Sequence, residues 1–135
     1  MNSYLLKKKF NIYKTDNGVS AVYHTWHITS KTEPSFLYLS KATYGNDGEP
    51  SEFCLDLGSN TNSEGYNYLS IVNCSNAKYK FKYGETSTKA IDVYNKNGTH
   101  LTDKKGNKLC LYYSMTPRIS KCNNTEHMKW DIYYL

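Results

Sequence analysis

The four cysteines offer the widest choice of chemistry in this chain. Cys54, Cys74, Cys110 and Cys122 could act as nucleophiles, bind zinc or form disulfides. The sequence has no Cys-x-x-Cys motif and no histidine-rich partner spacing, which disfavours a zinc site. In an oxidising compartment, four cysteines predict two disulfides, in one of three connectivities. Once they are paired, the chain has no thiol nucleophile.

Other residue types give catalysis no support. His24 and His27 lie three residues apart, and on a strand this spacing directs the two imidazoles to opposite faces. The chain has no glycine-rich phosphate loop and no Gly-x-Ser-x-Gly motif. We therefore predict that the protein is not an enzyme and uses neither a cofactor nor a metal.

Tyrosine is unusually frequent, with 14 among 135 residues. One small core cannot bury them all, and tyrosine suits recognition surfaces because it offers area and a hydroxyl at low entropic cost. The surplus tyrosines are Tyr44, Tyr66, Tyr68, Tyr112, Tyr113, Tyr133 and Tyr134. Among them, we expect Tyr66, Tyr68, Tyr112 and Tyr113 to bind a protein partner.

The formal net charge of +5 rests on 17 lysine and arginine residues, of which Arg118 is the one arginine. These cations are scattered along the chain apart from residues 7–9, whereas phosphate binding needs several cations on one path. Nucleic acid is therefore not expected as a partner, and the lysines favour a partner with an acidic surface. No stretch of 18 apolar residues occurs, so membrane insertion is not expected either.

The chain length predicts a single domain over residues 1–135. Glycosylation sequons begin at Asn73, Asn97 and Asn123, which agrees with a secreted or extracellular location, as do the cysteines. The first residues lack an apolar signal region. We therefore expect a module of a larger secreted protein.

An internal repeat organises the sequence. Cys54 and Cys74 are followed by an aromatic run at 79–81, and Cys110 and Cys122 are followed by another at 130–132. This repetition selects the pairs Cys54–Cys74 and Cys110–Cys122 among the three connectivities. A further unit without cysteines lies upstream, which gives approximate repeats at residues 10–40, 41–83 and 84–135.

Aromatic residues mark equivalent positions in the three units. Phe36, Tyr79 and Trp130 are separated by 43 and 51 residues, a range typical of repeat architectures. We expect all three side chains in the core of the protein.

Short runs that alternate apolar and polar residues predict an all-β fold, because turn residues separate them and no 3.6-residue period appears. Closing the strands into a barrel by threefold repetition would remove exposed sheet edges. The predicted strands are 10–13, 21–23, 36–39, 53–57, 68–72, 79–83, 90–94, 109–112 and 130–133.

One unit resembles a known family. Cys-Leu-Asp at 54–56, the cysteine at 74 and Asn-x-x-aromatic-x-Phe at 76–81 resemble a repeat of the ricin B-chain-like β-trefoil, whose repeats carry a Cys-Leu-Asp strand, an internal disulfide and a Gln-x-Trp strand. The resemblance runs from about residue 16 to the C-terminus. It implies a β-trefoil of three pseudo-repeats with two intra-repeat disulfides. Kunitz-type trefoil inhibitors are a weaker match.

The resemblance also implies where a sugar would bind. In that family an aspartate and an asparagine bind the sugar hydroxyls while an aromatic ring stacks on the sugar, and Asp56 and Asn76 match the two polar positions. The stacking position holds Val72, so Tyr66 or Tyr68 would have to supply the ring. Alternatively, Asp56 is a strand residue whose carboxylate accepts a turn N–H.

The other units lack these residues, since the third has Tyr112 and His127 at the two polar positions. At most one sugar site is therefore expected. We favour a non-catalytic module that docks another secreted protein domain, as an adhesion or scaffold unit. The alternative is a carbohydrate-binding module with its glycan site in the second unit. An inhibitor of a secreted hydrolase comes third.

Overall fold

The computed structural model describes residues 4–7, 25–41, 49–113 and 116–134. Within these residues the regular structure consists of ten β-strands and two short 3₁₀ helices, with no α-helix. The strands are β1 (Tyr4–Lys7), β2 (Thr25–Ile28), β3 (Tyr38–Ser40), β4 (Pro50–Thr61), β5 (Asn67–Asn73), β6 (Tyr79–Tyr83), β7 (Ile91–Asn95), β8 (Leu109–Tyr112), β9 (Arg118–Lys121) and β10 (Asp131–Tyr134). The 3₁₀ helices span Cys74–Asn76 and Glu126–Met128.

The all-β prediction is confirmed, and most strands lie where periodicity placed them. β6 and β8 have the predicted limits, while β10 begins one residue later than predicted. β1, β2 and β9 were not predicted. In β9 only Ile119 is apolar, so no pattern marks it, and it forms by pairing Ile119 with Leu111 of β8. The predicted strands at 10–13 and 21–23 lie outside the described residues, as does Tyr44.

All ten strands pair antiparallel in the order β10-β1-β2-β3-β4-β5-β9-β8-β7-β6. A bridge then joins β6 back to the segment before β3, because Ser35 and Phe81 exchange backbone hydrogen bonds of 2.9 and 2.6 Å. This bridge brings the sheet close to a closed barrel. No helix in the described ranges is long and apolar enough to cross a membrane.

Both predicted disulfides are confirmed, as Cys54 bonds to Cys74 and Cys110 bonds to Cys122. Each bond ties a buried strand cysteine to a less buried one downstream. Cys54 lies on β4 and Cys110 on β8.

The interior is filled mainly by aliphatic side chains and a few large rings. Trp130 is buried as expected, and Tyr79 is half-buried against the core. The prediction that Phe36 belongs to the core is wrong, because Phe36 is half-buried and its neighbour Leu37 occupies the interior instead. Adjacent residues in an extended chain point in opposite directions, so only one of the two can face inward. Tyr83 donates a hydrogen bond of 2.7 Å to the carbonyl of Trp130.

Three tight turns share one design, in which the fourth of five residues is a glycine with positive φ. The turns are 62–66, 95–99 and 103–107. Gly65 has a φ of 85° and Gly106 a φ of 83°, a conformation that costs little only without a β-carbon. The first residue of each turn donates its N–H to the carbonyl of the fifth. The turns containing Gly65 and Gly106 frame the surface described next.

Candidate binding surface

Three adjacent strands bring predicted binding residues together. Tyr68 on β5 lies opposite Arg118 on β9, and Arg118 in turn lies opposite Tyr112 on β8. Directly opposed residues of antiparallel strands project from the same face of the sheet. The chain's single arginine is therefore flanked on both sides by tyrosines.

The side chains continue this arrangement into a row. The guanidinium carbon of Arg118 lies 4.3 Å from the ring centroid of Tyr112 and 5.8 Å from that of Tyr66. Both distances are within the range of cation–π attraction. Beyond Tyr112 comes His127, whose ring centroid is 5.4 Å from that of Tyr112 with an angle of 31° between the planes. We call Tyr66, Arg118, Tyr112 and His127 the aromatic row.

The row is anchored at the end that contains Tyr112. Tyr112 packs against a small buried cluster of Ala90, Cys110 and Met128, next to the Cys110–Cys122 disulfide. The strand end is also tied to the second 3₁₀ helix, because the N–H of Tyr113 donates to the carbonyl of His127 at 2.6 Å. In addition, Nδ1 of His127 lies 3.1 Å from the carbonyl oxygen of Tyr113. These contacts restrict the two rings before any ligand binds.

Tyr113 does not join the row, although it was predicted with Tyr112. The side chain of Tyr113 packs against the main core, whereas Tyr112 packs against the separate small cluster. Successive side chains of an extended segment point to opposite faces, so the two neighbours cannot serve one surface together. The structure therefore brings together three of the four predicted tyrosines, Tyr66, Tyr68 and Tyr112.

A groove of about 700 Å³ adjoins Tyr66. It lies between the turns at 62–66 and 103–107, and its apolar lining consists of Leu101, Leu109 and Ile119. Its ionisable lining residues are Glu64, Asp103, Lys104, Lys105 and Lys121. Tyr66 lines the groove and also belongs to the aromatic row, so it is the residue that the two features share.

Asp103 is already engaged by its own turn. One carboxylate oxygen of Asp103 accepts the backbone N–H groups of Lys105 and Asn107, at 2.9 Å each, and the other accepts the side-chain amide of Asn107 at 3.1 Å. Three lysines and two carboxylates line the groove, which leaves one formal positive charge, because hydrogen bonds from neutral N–H groups do not remove the charge of Asp103. The groove is cationic.

The predicted sugar-binding pair is divided between interior and surface. Asp56 is 3% exposed, and its two carboxylate oxygens lie 3.2 and 3.4 Å from the donating backbone N–H of Lys78. Burial raises the pKa of the Asp56 carboxyl to about 6, against hydrogen bonds from the backbone N–H groups of Lys78, Leu57 and Tyr79 that lower it. Asn76, by contrast, is exposed. Asp56 thus has the geometry of the alternative interpretation, a strand residue that accepts a turn N–H.

A second polar cluster surrounds Asp92, which is fully buried. Its carboxylate accepts hydrogen bonds from the backbone N–H and the hydroxyl of Thr86, and Nε2 of His100 lies 2.6 Å from it. Atoms of Asp92, Cys110 and Cys122 that could in principle bind a metal ion lie within 4.8 Å of one another. The two sulfurs are bonded to each other, however, and offer no thiolate. The carboxylate is also occupied by internal donors. The cluster is therefore structural.

Comparisons with protein-family models, curated proteins and solved structures found no match. The functional interpretation therefore rests on this chain's own residues.

Neither Arg118 nor His127 is predicted from the sequence as part of a binding surface. The sequence does contain one feature that points to Arg118 as a binding residue. It is the single arginine in a lysine-rich chain, and arginine accompanies tyrosine at energetically important contacts. Its position beside Tyr68 and Tyr112 depends on strand register, which spacing along the chain does not reveal.

Proposed function

We propose that this protein is a non-catalytic extracellular binding module that docks another protein through the aromatic row. The observation that carries the proposal is the position of Arg118 between the rings of Tyr66 and Tyr112, on one sheet face with Tyr68. Tyrosine and arginine are among the residues that contribute most to binding energy at protein interfaces.

The packing of the row favours tight association. Tyr112 contacts a buried cluster, and His127 is tied to Tyr113 by one backbone hydrogen bond and by the contact of its Nδ1 with the Tyr113 carbonyl oxygen. These side chains therefore lose little conformational freedom when a partner binds. Pre-organisation of this kind lowers the entropic cost of association. The buried Asp56 supports the same choice, because a carboxylate enclosed by backbone is poorly placed to bind sugar hydroxyls.

A β-trefoil is the fold we propose for the module. The nearly closed antiparallel sheet and the two disulfides support it. In the second and third units, a 3₁₀ helix at or after the second cysteine is followed within a few residues by a strand, β6 or β10. The disulfides also support a secreted protein, since such bonds persist mainly in oxidising compartments.

A carbohydrate ligand is the second candidate. The observation that favours it is the groove beside Tyr66, which Asn67 and Asn107 also line. A tyrosine ring with neighbouring amides can stack on a sugar and bind its hydroxyls. The Asn67 side chain already donates to the carbonyl of Gly58 at 2.9 Å, and that of Asn107 donates to Asp103, so a sugar would have to compete with these bonds.

Capture of partners from the source secretome tests the proposal. Tyr112→Ala and Arg118→Ala should each weaken binding of the captured protein by more than about 1 kcal/mol. Tyr38→Ala is the matched control, because Tyr38 lies on β3, two strands from β5 in the sheet order. If free hexose displaces the captured protein, the carbohydrate candidate replaces protein docking.

A further inference from the structure

We infer that Arg118 is the receptor for a carboxylate on an acidic segment of the partner protein. This inference rests on the proposed docking function and specifies its chemistry. The segment would place a glutamate or aspartate on the guanidinium and a neighbouring apolar side chain in the groove beside Tyr66.

Arg118 has more hydrogen-bond donors than the described residues use. A guanidinium has five N–H donors. Among the described residues, one of its nitrogens donates to the carbonyl of Ile119 at 3.1 Å and no carboxylate forms an ion pair with it. Its other donors form no hydrogen bond within the described ranges.

Neighbouring groups hold the guanidinium of Arg118 in place. The ring of Tyr112 at 4.3 Å and the ring of Tyr66 at 5.8 Å flank it, and the bond to Ile119 restrains its rotation. Arg118 is also half-buried. A planar, oriented guanidinium suits bidentate binding of a carboxylate, and partial burial strengthens the attraction.

The neighbouring groove combines positive charge with an apolar lining. Lys104, Lys105 and Lys121 line it together with two carboxylates, which leaves one formal positive charge. The remaining lining includes Leu101, Leu109 and Ile119. A partner segment that carries negative charge beside an apolar residue matches both features. The positive charge of the groove would repel partner segments rich in lysine or arginine, which contributes to specificity.

Nuclear magnetic resonance provides a direct test, because the chain has one arginine and its Nε–H signal is therefore unambiguous. The probe is the peptide acetyl-Glu-Leu-Glu-amide, and acetyl-Gln-Leu-Gln-amide is the matched neutral control. We expect the acidic peptide to shift the Nε–H signal to saturation and the neutral peptide to leave it unchanged. Equal shifts with both peptides would overturn the inference.

Variants test the geometry of the site. Arg118→Lys keeps the charge but loses the planar fork, so the dissociation constant of the acidic peptide, followed on backbone amide signals, should rise about tenfold. Tyr112→Ala should also raise the dissociation constant of the acidic peptide. Both variants are first checked for an unchanged pattern of the remaining amide signals. Undiminished affinity in a folded Arg118→Lys variant would contradict carboxylate recognition by the guanidinium.

Two further ligands distinguish the source of the anion. Digalacturonate carries carboxylates on a sugar, and inorganic phosphate is a simple anion. Tighter binding of either than of the acidic peptide would replace the inference with a glycan or general anion site.

The inference and the proposed function can fail separately. If Tyr112→Ala abolishes partner capture but the acidic peptide leaves Arg118 unperturbed, docking stands and the carboxylate inference falls. If the acidic peptide binds Arg118 while Tyr112→Ala and Arg118→Ala leave partner capture unchanged, the carboxylate site stands and docking through the aromatic row falls.

Discussion

Nε2 of His100 lies 2.6 Å from a carboxylate oxygen of the buried Asp92, and Nδ1 of the same ring lies 2.9 Å from the carbonyl oxygen of Leu101. A carbonyl oxygen can only accept a hydrogen bond, so Nδ1 of His100 donates to the carbonyl of Leu101. The short contact of Nε2 with the Asp92 carboxylate also requires a proton between the nitrogen and the oxygen. The ring is further packed against Tyr94, with the centroids 4.4 Å apart. The segment after β7 is thus fixed to the interior through one histidine.

Removing this histidine should be costly. His100→Ala leaves Asp92 buried without one of its partners, and we expect a loss of about 3 kcal/mol in the free energy of unfolding, measured by urea denaturation. His127→Ala is the matched control, because His127 is exposed and its loss should change stability by no more than about 0.5 kcal/mol. Equal effects of the two substitutions would contradict a structural role for the Asp92–His100 contact.

Asp56 should make stability depend on pH. Its folded-state pKa of about 6 lies above the ordinary value of 3.8, so the folded protein holds this proton more tightly than the unfolded chain. The resulting stabilisation is fully present below about pH 4 and is lost as pH rises to about 6, and the change amounts to about 3 kcal/mol.

Asp56→Asn removes this titration while keeping an acceptor for the N–H of Lys78. The stability of the parent relative to Asp56→Asn should therefore fall between pH 4 and pH 7 in urea denaturation. Glu64→Gln, at an exposed carboxylate, is the control and should leave the pH profile of the parent unchanged. A constant difference between parent and Asp56→Asn across this range would rule out the raised pKa.

The second disulfide should support both stability and the binding surface. A Cys110→Ser, Cys122→Ser double variant should lose about 2–4 kcal/mol of stability, seen as a lower melting temperature. It should also weaken partner binding, because Tyr112 packs on the cluster that contains Cys110. The Cys54→Ser, Cys74→Ser variant provides the comparison, since it should lower the melting temperature without this effect on Tyr112. An unchanged melting temperature in both variants would show that the two disulfides do not stabilise the fold.

The neighbours Tyr112 and Tyr113 should respond differently to truncation. Tyr112→Ala should reduce partner binding by more than about 1 kcal/mol. Tyr113→Ala should act mainly on stability, with a loss of about 2 kcal/mol, because its side chain packs on the main core. Calorimetric titration and thermal unfolding of both variants separate the two effects. Equal losses of binding at equal melting temperature would show that both tyrosines belong to the surface.

Local patterns were sufficient for the fold class and several of its elements. The alternation of apolar and polar residues located β6 and β8, since a strand with one buried face needs this period whatever its neighbours are. The internal repeat identified both disulfide pairs. It did not identify β9, whose sequence has one apolar residue and whose strand exists through its partners β8 and β5.

The sequence by itself thus determined an all-β chain with two local disulfides and a surplus of tyrosines. Only the tertiary structure decided which tyrosines share a surface and what lies between them. Tyr68 and Arg118 are 50 positions apart, yet the pairing of β5 with β9 sets them side by side. Register sets this contact, and a shift of one residue would turn Arg118 to the other face of the sheet. The burial of Asp56 has the same origin, because its carboxylate is covered by the segment at Lys78, 22 residues away along the chain. Such contacts depend on how the whole sheet packs, which short-range patterns do not encode.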